Sequence, residues 1–213
     1  MTRSFQYLDF YVCMRNELRL GAQIGVNMSK IAVFFAEGFE EIEGLTVVDL
    51  CRRAGIETEM VSIGDSKIVK GSHDISILTD LLFEEVDFET LDMLVLPGGM
   101  PGTRKLEAHE GLMEQLDAFY GSGKYVASIC AAPSIFGHRG MLKGRRACSY
   151  PTLESHLEGA EVTKDETVVS DHVITSRGMG TAIAFGLKIV EQLCGGEKAE
   201  ELKEAIIYKR REV

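Results

Sequence analysis

Three short and almost entirely apolar runs constrain the fold of this chain more than any other feature of its sequence. Residues 31–35, 93–96 and 125–130 each have the length of a strand, and polar side chains do not alternate regularly with apolar ones. Such runs are typical of strands that are buried on both faces of a parallel sheet. Between the first two runs, residues 40–53 carry apolar side chains at helical spacing, and Gly55 follows as a typical helix stop.

The rest of the chain continues this alternation. Further strands are predicted at residues 56–63, a hairpin at 68–78, helices at 112–120, 181–193 and 199–207, and a polar β-like region at 146–176. Strands that alternate with helices imply crossover connections and a mostly parallel sheet with helices on both faces. With 213 residues, of which 45% are hydrophobic, the chain can form this α/β fold as one domain.

Composition excludes several classes of protein. The chain has 23 Lys and Arg against 33 Asp and Glu, a formal net charge of −10, which disfavours binding to nucleic acid. No apolar stretch reaches the roughly 20 residues that a membrane-spanning helix needs, so we expect a soluble protein. The five cysteines are odd in number and scattered, which argues against a disulfide framework or a structural metal site and favours a reducing cytoplasm.

The first 27 residues lie before the first predicted strand. They lack the pattern of a signal peptide, because their apolar part is short and Asp9 interrupts it. The strand-like run that begins at Ile31 follows directly on Met28-Ser-Lys. We therefore expect residues 1–28 to be an extension of unknown role and residues 29–210 to form a single domain.

Cys130 is the principal candidate for a reactive residue. It ends an apolar run and is followed by Ala131-Ala132-Pro133, which are suited to opening a helix. Backbone N–H groups at a helix start have no intrahelical partners and favour a thiolate. The alternative is that Cys130 is a buried, inert hydrophobic residue, as many free cysteines are.

Other strand ends are expected to converge on this cysteine. In parallel α/β sheets, ligands bind beyond the carboxyl ends of the strands, where residues 36–38, residues 97–99 and Cys130 all lie. Glu43 is placed near the inward side of the first helix, whereas Glu40 and Glu41 are interpreted as offsetting the helix dipole. A protonated Glu43 would donate a hydrogen bond to the sulfur, and an ionised one would raise the pKa of the thiol; the sequence leaves both open.

Two glycine-rich segments and the histidines complete the candidates. Gly98 and Gly99 form either a plain turn or a set of N–H donors for an oxyanion near Cys130. Residues 176–181 lack the spacing of a phosphate-binding motif and are interpreted as a helix cap. The histidines are expected to be surface or packing residues; they are His73, His109, His138, His156 and His172.

Five motifs in order give the chain a family resemblance. They are Ala36-Glu-Gly-Phe-Glu-Glu-Ile-Glu43, Arg52-Arg-Ala-Gly55, Leu96-Pro-Gly-Gly99, Ser128-Ile-Cys-Ala-Ala-Pro133 and Thr175-Ser-Arg-Gly-Met-Gly-Thr181. Together they resemble the ThiJ/PfpI superfamily, especially its DJ-1 branch and the bacterial YajL-like members of that branch. The resemblance implies a flavodoxin-like three-layer α/β sandwich that forms a homodimer.

The resemblance also implies roles for individual residues. Cys130 matches the nucleophile, Glu43 its protonated carboxylic partner, and Gly98, Gly99 and Ala131 the backbone donors around the sulfur. A further set matches positions at the pocket or on the dimer side: Arg53, Met100, Tyr150 and Arg177.

Four positions depart from the family pattern. Tyr150 stands where the animal proteins have histidine, which disfavours a Cys-His dyad. Met100 and Met179 differ from the animal pattern and make the pocket lip more apolar. Ala131 replaces the histidine of PfpI-type peptidases, so proteolysis is not expected.

Two functions follow from the resemblance. The first is a cysteine-dependent deglycase or glutathione-independent glyoxalase that acts on α-oxoaldehydes or their early protein or nucleotide adducts, without cofactor or metal. The alternative is a peroxide-sensing redox chaperone in which Cys130 is oxidised to a sulfinate and turnover is incidental. The expected partners are a small aldehyde or glycated adduct and a second copy of the chain, with no nucleic acid and no membrane.

Overall fold

The computed structural model describes residues 28–208. The helices are α1 (Glu41–Arg53), α2 (Gly102–Ala108), α3 (Glu110–Ser122), α4 (Pro133–His138), α5 (Ala182–Cys194) and α6 (Gly196–Ala205). The strands are β1 (Lys30–Phe35), β2 (Glu57–Ser62), β3 (Ile68–Lys70), β4 (Ser76–Leu78), β5 (Leu81–Leu82), β6 (Met93–Leu96), β7 (Tyr125–Ile129), β8 (Arg146–Ala147), β9 (Glu161–Val162), β10 (Thr167–Ser170) and β11 (Val173–Ser176). Short 3-10 helices cover Phe83–Glu85, Phe88–Thr90, Pro151–His156 and Met179–Thr181.

A central sheet of seven strands organises the fold, in the order β10-β11-β7-β6-β1-β2-β5. All neighbours in this sheet pair in parallel except β10 and β11, which are antiparallel. The strands β3 and β4 form a separate antiparallel hairpin, and β8 pairs with β9. The sheet is therefore mostly parallel, as predicted.

Helices cover both faces of the sheet, and the side-chain alternation of β1 shows how. Ile31, Val33 and Phe35 belong to a core shared with α1, α5 and α6, whereas Ala32 and Phe34 belong to a second core shared with α2, α3 and α4. Successive side chains of a strand point to opposite faces of the sheet. A strand that is apolar throughout therefore needs apolar helices packed on both faces. The result is the expected three-layer, flavodoxin-like α/β sandwich.

Most predicted elements are confirmed within a few residues, and the hairpin at 68–78 is correct. The sequence did not predict α2, and the last helix begins earlier than expected, at Gly196. The region 146–176 is resolved into short strands around a 3-10 helix rather than one β unit. None of the helices between residues 28 and 208 has both the length and the apolar composition that a membrane span requires. The proposed extension lies almost wholly outside the described residues, so its role stays a prediction.

The four adjacent strands β1, β6, β7 and β11 run in parallel, so their carboxyl ends lie on the same edge of the sheet. Their registers keep these ends level, since Leu96 pairs with Ser128 and Ile129 pairs with Ser176. The segments that leave these ends carry the residues singled out above.

Candidate active site

Cys130 sits at a sharp turn directly after β7. Its φ of 63° lies in the left-handed region, which is uncommon for a residue with a side chain and costs on the order of 1–3 kcal/mol. Two backbone hydrogen bonds hold the turn: Cys130 donates its N–H to the carbonyl of Ser176 at 3.0 Å and accepts from the N–H of Tyr150 at 2.8 Å. The local backbone is thus the strand-to-helix elbow that the sequence predicted, and it is fixed by segments distant in the chain.

Glu43 reaches the same place from the first turn of α1. Its side chain is buried, with 1% of the residue exposed, and Oε2 accepts a hydrogen bond of 2.9 Å from the N–H of Gly98. Among residues 28–208, the buried Oε1 has no partner in good hydrogen-bond geometry. The Cys130 thiol is the neighbour with which this carboxyl interacts. The structure therefore brings the acid and the thiol together.

Glycines make this close approach possible. A Cβ at Gly98 would lie only 2.6 Å from the Cβ of Cys130 and 2.6 Å from Oε2 of Glu43. A Cβ at Gly178 would be 3.9 Å from the sulfur of Cys130, 3.9 Å from Oε1 of Glu43 and 3.5 Å from the Tyr150 ring. Gly98 and Gly178 thus line the space that contains the thiol, the carboxyl and the edge of the tyrosine.

Burial and charge set the proton affinity of the two groups. Burial raises the pKa of Glu43 to about 7, against opposing effects of the Cys130 and Gly98 hydrogen bonds. Burial also raises the pKa of Cys130, and Glu43 raises it further, whereas the backbone amides of Ala131 and Gly99 lower it. The net direction for the thiol is upward. The amides of the turn do favour the thiolate, as expected, but burial and the neighbouring carboxyl outweigh them. The expectation of a thiol with a lowered pKa is therefore wrong.

The three predicted backbone donors do not all contact the sulfur. Ala131 and Gly99 interact with the sulfur, whereas the N–H of Gly98 is occupied by Glu43. Gly99 has a φ of 94°, and a Cβ there would collide with the backbone N of Glu40. A glycine is therefore required at residue 99 for the turn itself, whatever its chemical role.

The remaining predicted residues are spread around the site. Tyr150 borders it and is 48% exposed, and Met100 is exposed directly after Gly99. Arg177 lies between Ser176 and Gly178, but its side chain bonds to Glu154 at 3.4 Å. Arg53 lies at the far end of α1, about 15 Å along the helix from Glu43, so within one chain it is not part of this site.

Glu41 has a role that the sequence analysis missed. Instead of merely offsetting the helix dipole, its buried carboxylate accepts hydrogen bonds from the backbone N–H of His73 at 2.7 Å and from Ser72 at 3.3 Å, and it contacts the His73 ring at 2.9 Å. Burial raises the pKa of Glu41, but hydrogen bonds from the His73 ring and from backbone groups, including that of His73, outweigh it and lower the value to about 2. Glu41 thus anchors the β3–β4 hairpin beside the site.

The other described cysteines are poor candidates for chemistry at this site. Cys51 and Cys148 are buried, and burial raises the pKa of Cys148 to about 11. Cys194 is exposed at the end of α5. All four described cysteines are free thiols, and Cys13 lies outside the described residues.

A cavity of about 470 Å³ lies elsewhere, between β10, α5 and α6. Its two lysines are paired with glutamates of the same lining, Lys188 with Glu191 and Lys203 with Glu200. None of the residues around Cys130 lines it. The candidate site is therefore identified by its chemistry and not by this cavity.

Comparison with known proteins places this arrangement in a family. The profile of the DJ-1/PfpI family matches residues 29–192. The chain belongs to the DJ-1/PfpI family. That membership agrees with the resemblance drawn from the five motifs, whereas the YajL-like subtype stays a prediction.

Individual relatives cover most of the chain. Protein dj-1beta of Drosophila melanogaster is 37% identical over 183 residues, which are 84% of this chain and 98% of that protein. The glutathione-independent glyoxalase DJR-1.2 of Caenorhabditis elegans is 35% identical over 78% of this chain and 89% of its own length. The structure of oxidized Toxoplasma gondii DJ-1 superposes with a TM-score of 0.82 at 33% identity, covering 85% of this chain and 100% of that one.

Proposed function

We propose that this DJ-1/PfpI protein is a cysteine-dependent, cofactor-free glyoxalase or deglycase that acts on α-oxoaldehydes or their early adducts. The observation that carries the proposal is the pairing of Cys130 with the buried carboxyl of Glu43, whose Oε1 has no other well-placed partner among the described residues. A relative in Caenorhabditis elegans carries the name glutathione-independent glyoxalase, which supports the same chemistry here.

The first step is addition of the thiol to the aldehyde. Because the resting thiol has a raised pKa, it needs a base, and an ionised Glu43 with a pKa of about 7 is in place to accept its proton. The sulfur forms a bond to the aldehyde carbon and the carbonyl oxygen becomes an alkoxide. The N–H groups of Gly99 and Ala131, which interact with the sulfur, are the nearest donors for that charge. Protonation of the alkoxide by Glu43 gives a hemithioacetal.

The second step is a rearrangement followed by hydrolysis. Glu43 removes the proton from the former aldehyde carbon, and the resulting enediolate takes a proton at the neighbouring carbon, which converts the hemithioacetal into a thioester. Water then cleaves the thioester, giving a 2-hydroxy acid and the free thiol. The net reaction adds one water to the oxoaldehyde with no external oxidant or reductant, so it needs no cofactor.

The experiment that tests this function measures lactate formed from methylglyoxal in the absence of glutathione. We expect the wild-type protein to produce lactate and Cys130→Ser to produce none above background. Cys194→Ser is the matched control, because it removes an exposed thiol remote from Glu43 and should leave the rate unchanged. Lactate production by Cys130→Ser at the wild-type rate would overturn the proposal.

A second candidate function is a peroxide sensor or redox chaperone, and the surroundings of the sulfur favour it independently. A sulfinate at Cys130 would have a protonated Glu43 and the amides of Gly99 and Ala131 as hydrogen-bond donors. Mass spectrometry after mild peroxide treatment separates the two functions. Selective gain of two oxygen atoms at Cys130, in a protein without aldehyde turnover, would favour the sensor.

We also propose that the chain is a homodimer and that it works in the reducing cytoplasm. Ile42 on α1 is 51% exposed, Met179 on the 3-10 helix Met179–Thr181 is 56% exposed, and Ile183 in the first turn of α5 is 40% exposed. Exposed apolar side chains on α1 and on the two helices that follow Gly178 suit burial against a second copy. Arg53, exposed at the end of α1, would then face the partner rather than its own thiol.

A further inference from the structure

We propose that His138 and His156 form a binding site for a divalent transition ion of the Zn²⁺ class, and that Glu107 orients the first of these ligands. In the present structure His138 Nε2 and His156 Nδ1 are 3.0 Å apart, and the Nδ1 of His138 is 2.6 Å from Oε1 of Glu107. The inference does not depend on the proposed catalytic function, because none of these residues belongs to the Cys130 site.

The distances suit a metal bridge. Zinc binds histidine nitrogen at 2.0–2.1 Å, so two nitrogens on one tetrahedral ion lie roughly 3.3 Å apart. The observed separation of 3.0 Å needs to widen by only a few tenths of an ångström. Imidazole nitrogen is a ligand that Zn²⁺, Cu²⁺ and Ni²⁺ share.

The carboxylate of Glu107 supplies the outer contact that metal-binding histidines generally have. A proton on Nδ1 of His138, donated to Glu107, leaves Nε2 with a free lone pair. In the absence of metal, that lone pair can accept from the Nδ1–H of His156. When a metal binds, Nδ1 of His156 must be unprotonated, so the proton of this neutral imidazole moves to Nε2. The proton moves through water from one ring nitrogen to the other, and no net proton is released. Water would fill the remaining coordination positions, so we expect weaker binding than at a closed four-ligand site.

Packing holds the two imidazoles in place. A Cβ at Gly137 would collide with the carbonyl oxygen of His156, so the end of α4 lies directly against the end of the 3-10 helix Pro151–His156. The two rings meet edge to face with centroids 5.2 Å apart. The pair is therefore a consequence of close backbone contact rather than of two freely moving surface side chains.

The His138–His156–Glu107 cluster lies where three segments of the chain meet, so a bound metal ion would link them. Glu107 lies in the last turn of α2, which follows Gly99; His138 ends α4, which follows the Cys130 turn; and His156 ends the 3-10 helix that follows Tyr150. Three segments that leave the candidate active site thus meet again at this cluster. A bound ion would tie the ends of two of them together, with the third held through Glu107.

Calorimetric titration with Zn²⁺ tests the inference, in the wild-type protein and in a Cys130→Ser background that removes the thiol of the active site. We expect a binding event that His138→Gln and His156→Gln each abolish and that Glu107→Gln weakens by about 10- to 100-fold. His172→Gln is the matched control and should bind as the parent does, because the His172 ring packs on the Tyr120 ring and hydrogen-bonds to the Tyr120 carbonyl. Thermal unfolding should show a Zn²⁺-dependent rise in Tm, relative to EDTA, only when both ligands are present.

Two results would overturn the inference. The first is Zn²⁺ binding by His138→Gln or His156→Gln with parental affinity. The second is loss of binding in His73→Gln, because Glu40, Glu41 and His73 also bring ligand atoms within 4.8 Å of one another. Glu41 is already engaged by the hairpin backbone and Ser72, which is why we assign the ion to the histidine pair.

Discussion

Tyr150 donates its backbone N–H to the carbonyl oxygen of Cys130 over 2.8 Å. This hydrogen bond ties the segment after β8 to the turn that presents the thiol, so the tyrosine keeps its place at the site through its main chain. The Tyr150 ring lies beside Gly178, where an added Cβ would be 3.5 Å from it. A change of side chain at residue 150 should therefore alter the wall of the site without releasing the Cys130 turn.

Aldehyde turnover should rise with pH through the titration of Glu43. If ionised Glu43 is the base, its pKa of about 7 makes the rate fall about tenfold for each pH unit below that value. Glu43→Gln should lower the rate by about 10²–10⁴-fold and flatten the profile. Initial rates of lactate formation between pH 5 and 9 measure both effects, and a rate that rises towards acid pH would contradict the assignment of Glu43 as base.

Glu43 should cost stability at alkaline pH. Its pKa is raised from 4.5 to about 7 by burial, so the folded state binds the proton more tightly than the unfolded state, and the free energy of unfolding falls as the pH rises through this range. Glu43→Gln avoids this loss and can still accept from Gly98. We expect the variant to be more stable than wild type by roughly 2–3 kcal/mol at pH 8.5.

Urea unfolding of both proteins at pH 8.5 and pH 4.5 measures this difference. The stability difference should fall to about 0.4 kcal/mol at pH 4.5, where the wild-type carboxyl is protonated in the folded state and half protonated in the unfolded state. An advantage of Glu43→Gln that is equal at both pH values would show that packing, and not ionisation, is responsible.

The contribution of Glu41 to stability should depend on pH in the opposite direction to that of Glu43. Its pKa is lowered to about 2, so its contribution to stability is present above about 4.5 and is lost as the pH falls towards 2. Glu41→Gln should destabilise the protein by about 1–3 kcal/mol at pH 7, because the variant loses charge-assisted hydrogen bonds to the hairpin. The difference from wild type should shrink in acid.

Glu37→Gln is the control for this experiment, since the Glu37 carboxylate is exposed and its ion pair with Lys105 lies on the surface. We expect it to change the free energy of unfolding by less than about 0.5 kcal/mol. Denaturant unfolding at pH 7 and pH 3 compares the variants, and equal effects of Glu41→Gln and Glu37→Gln would contradict the anchoring role of Glu41.

Two glycine-to-alanine changes should have different effects on the site. Gly98→Ala places a methyl group 2.6 Å from both Cys130 and Glu43, so we expect at least a tenfold loss of activity and a destabilisation of about 1–3 kcal/mol. Gly178→Ala meets its neighbours at 3.5–3.9 Å, which is ordinary contact, and should leave stability nearly unchanged. Lactate formation and Tm, measured for both variants, test this difference. Equal losses in Gly98→Ala and Gly178→Ala would contradict the close packing around residue 98.

Charges at the apolar surface beside the site should dissociate the proposed dimer. We expect Ile42→Glu combined with Ile183→Glu to give a monomer by light scattering, because burying two carboxylates without partners is costly. Ile68→Glu, at a side chain on the hairpin that is 65% exposed, is a control for added charge on an apolar surface residue. A double variant that stays dimeric would exclude this surface from the interface.

The sequence was sufficient to predict the layered fold because its strongest signals are local. The apolar run of β1 supplies side chains to both cores, and such a run is typical of a parallel sheet that is covered on both faces. In contrast, α2 has little apolar periodicity: Leu106 is its only buried large side chain. Strands of two residues, such as β8, carry no pattern that a sequence could reveal.

The site could be predicted only in part. Strand topology was enough to expect Glu43 and Cys130 on the same edge of the sheet. The direction of the thiol pKa was not predictable, because it depends on the depth of burial and on the neighbouring charge. The contact of His138 with His156 and Glu107 joins residues 18 and 31 positions apart, so no spacing rule could have identified it.

The left-handed backbone of Cys130 governs which replacements can report on its chemistry. Asparagine and aspartate tolerate this conformation better than other side chains, whereas β-branched residues do not. Cys130→Asp is therefore a suitable surrogate for the doubly oxygenated sulfur, since it brings a negative charge with little added torsional penalty. Valine or threonine at this position would disturb the main chain as well, and a loss of function in such a protein would say nothing about the sulfur.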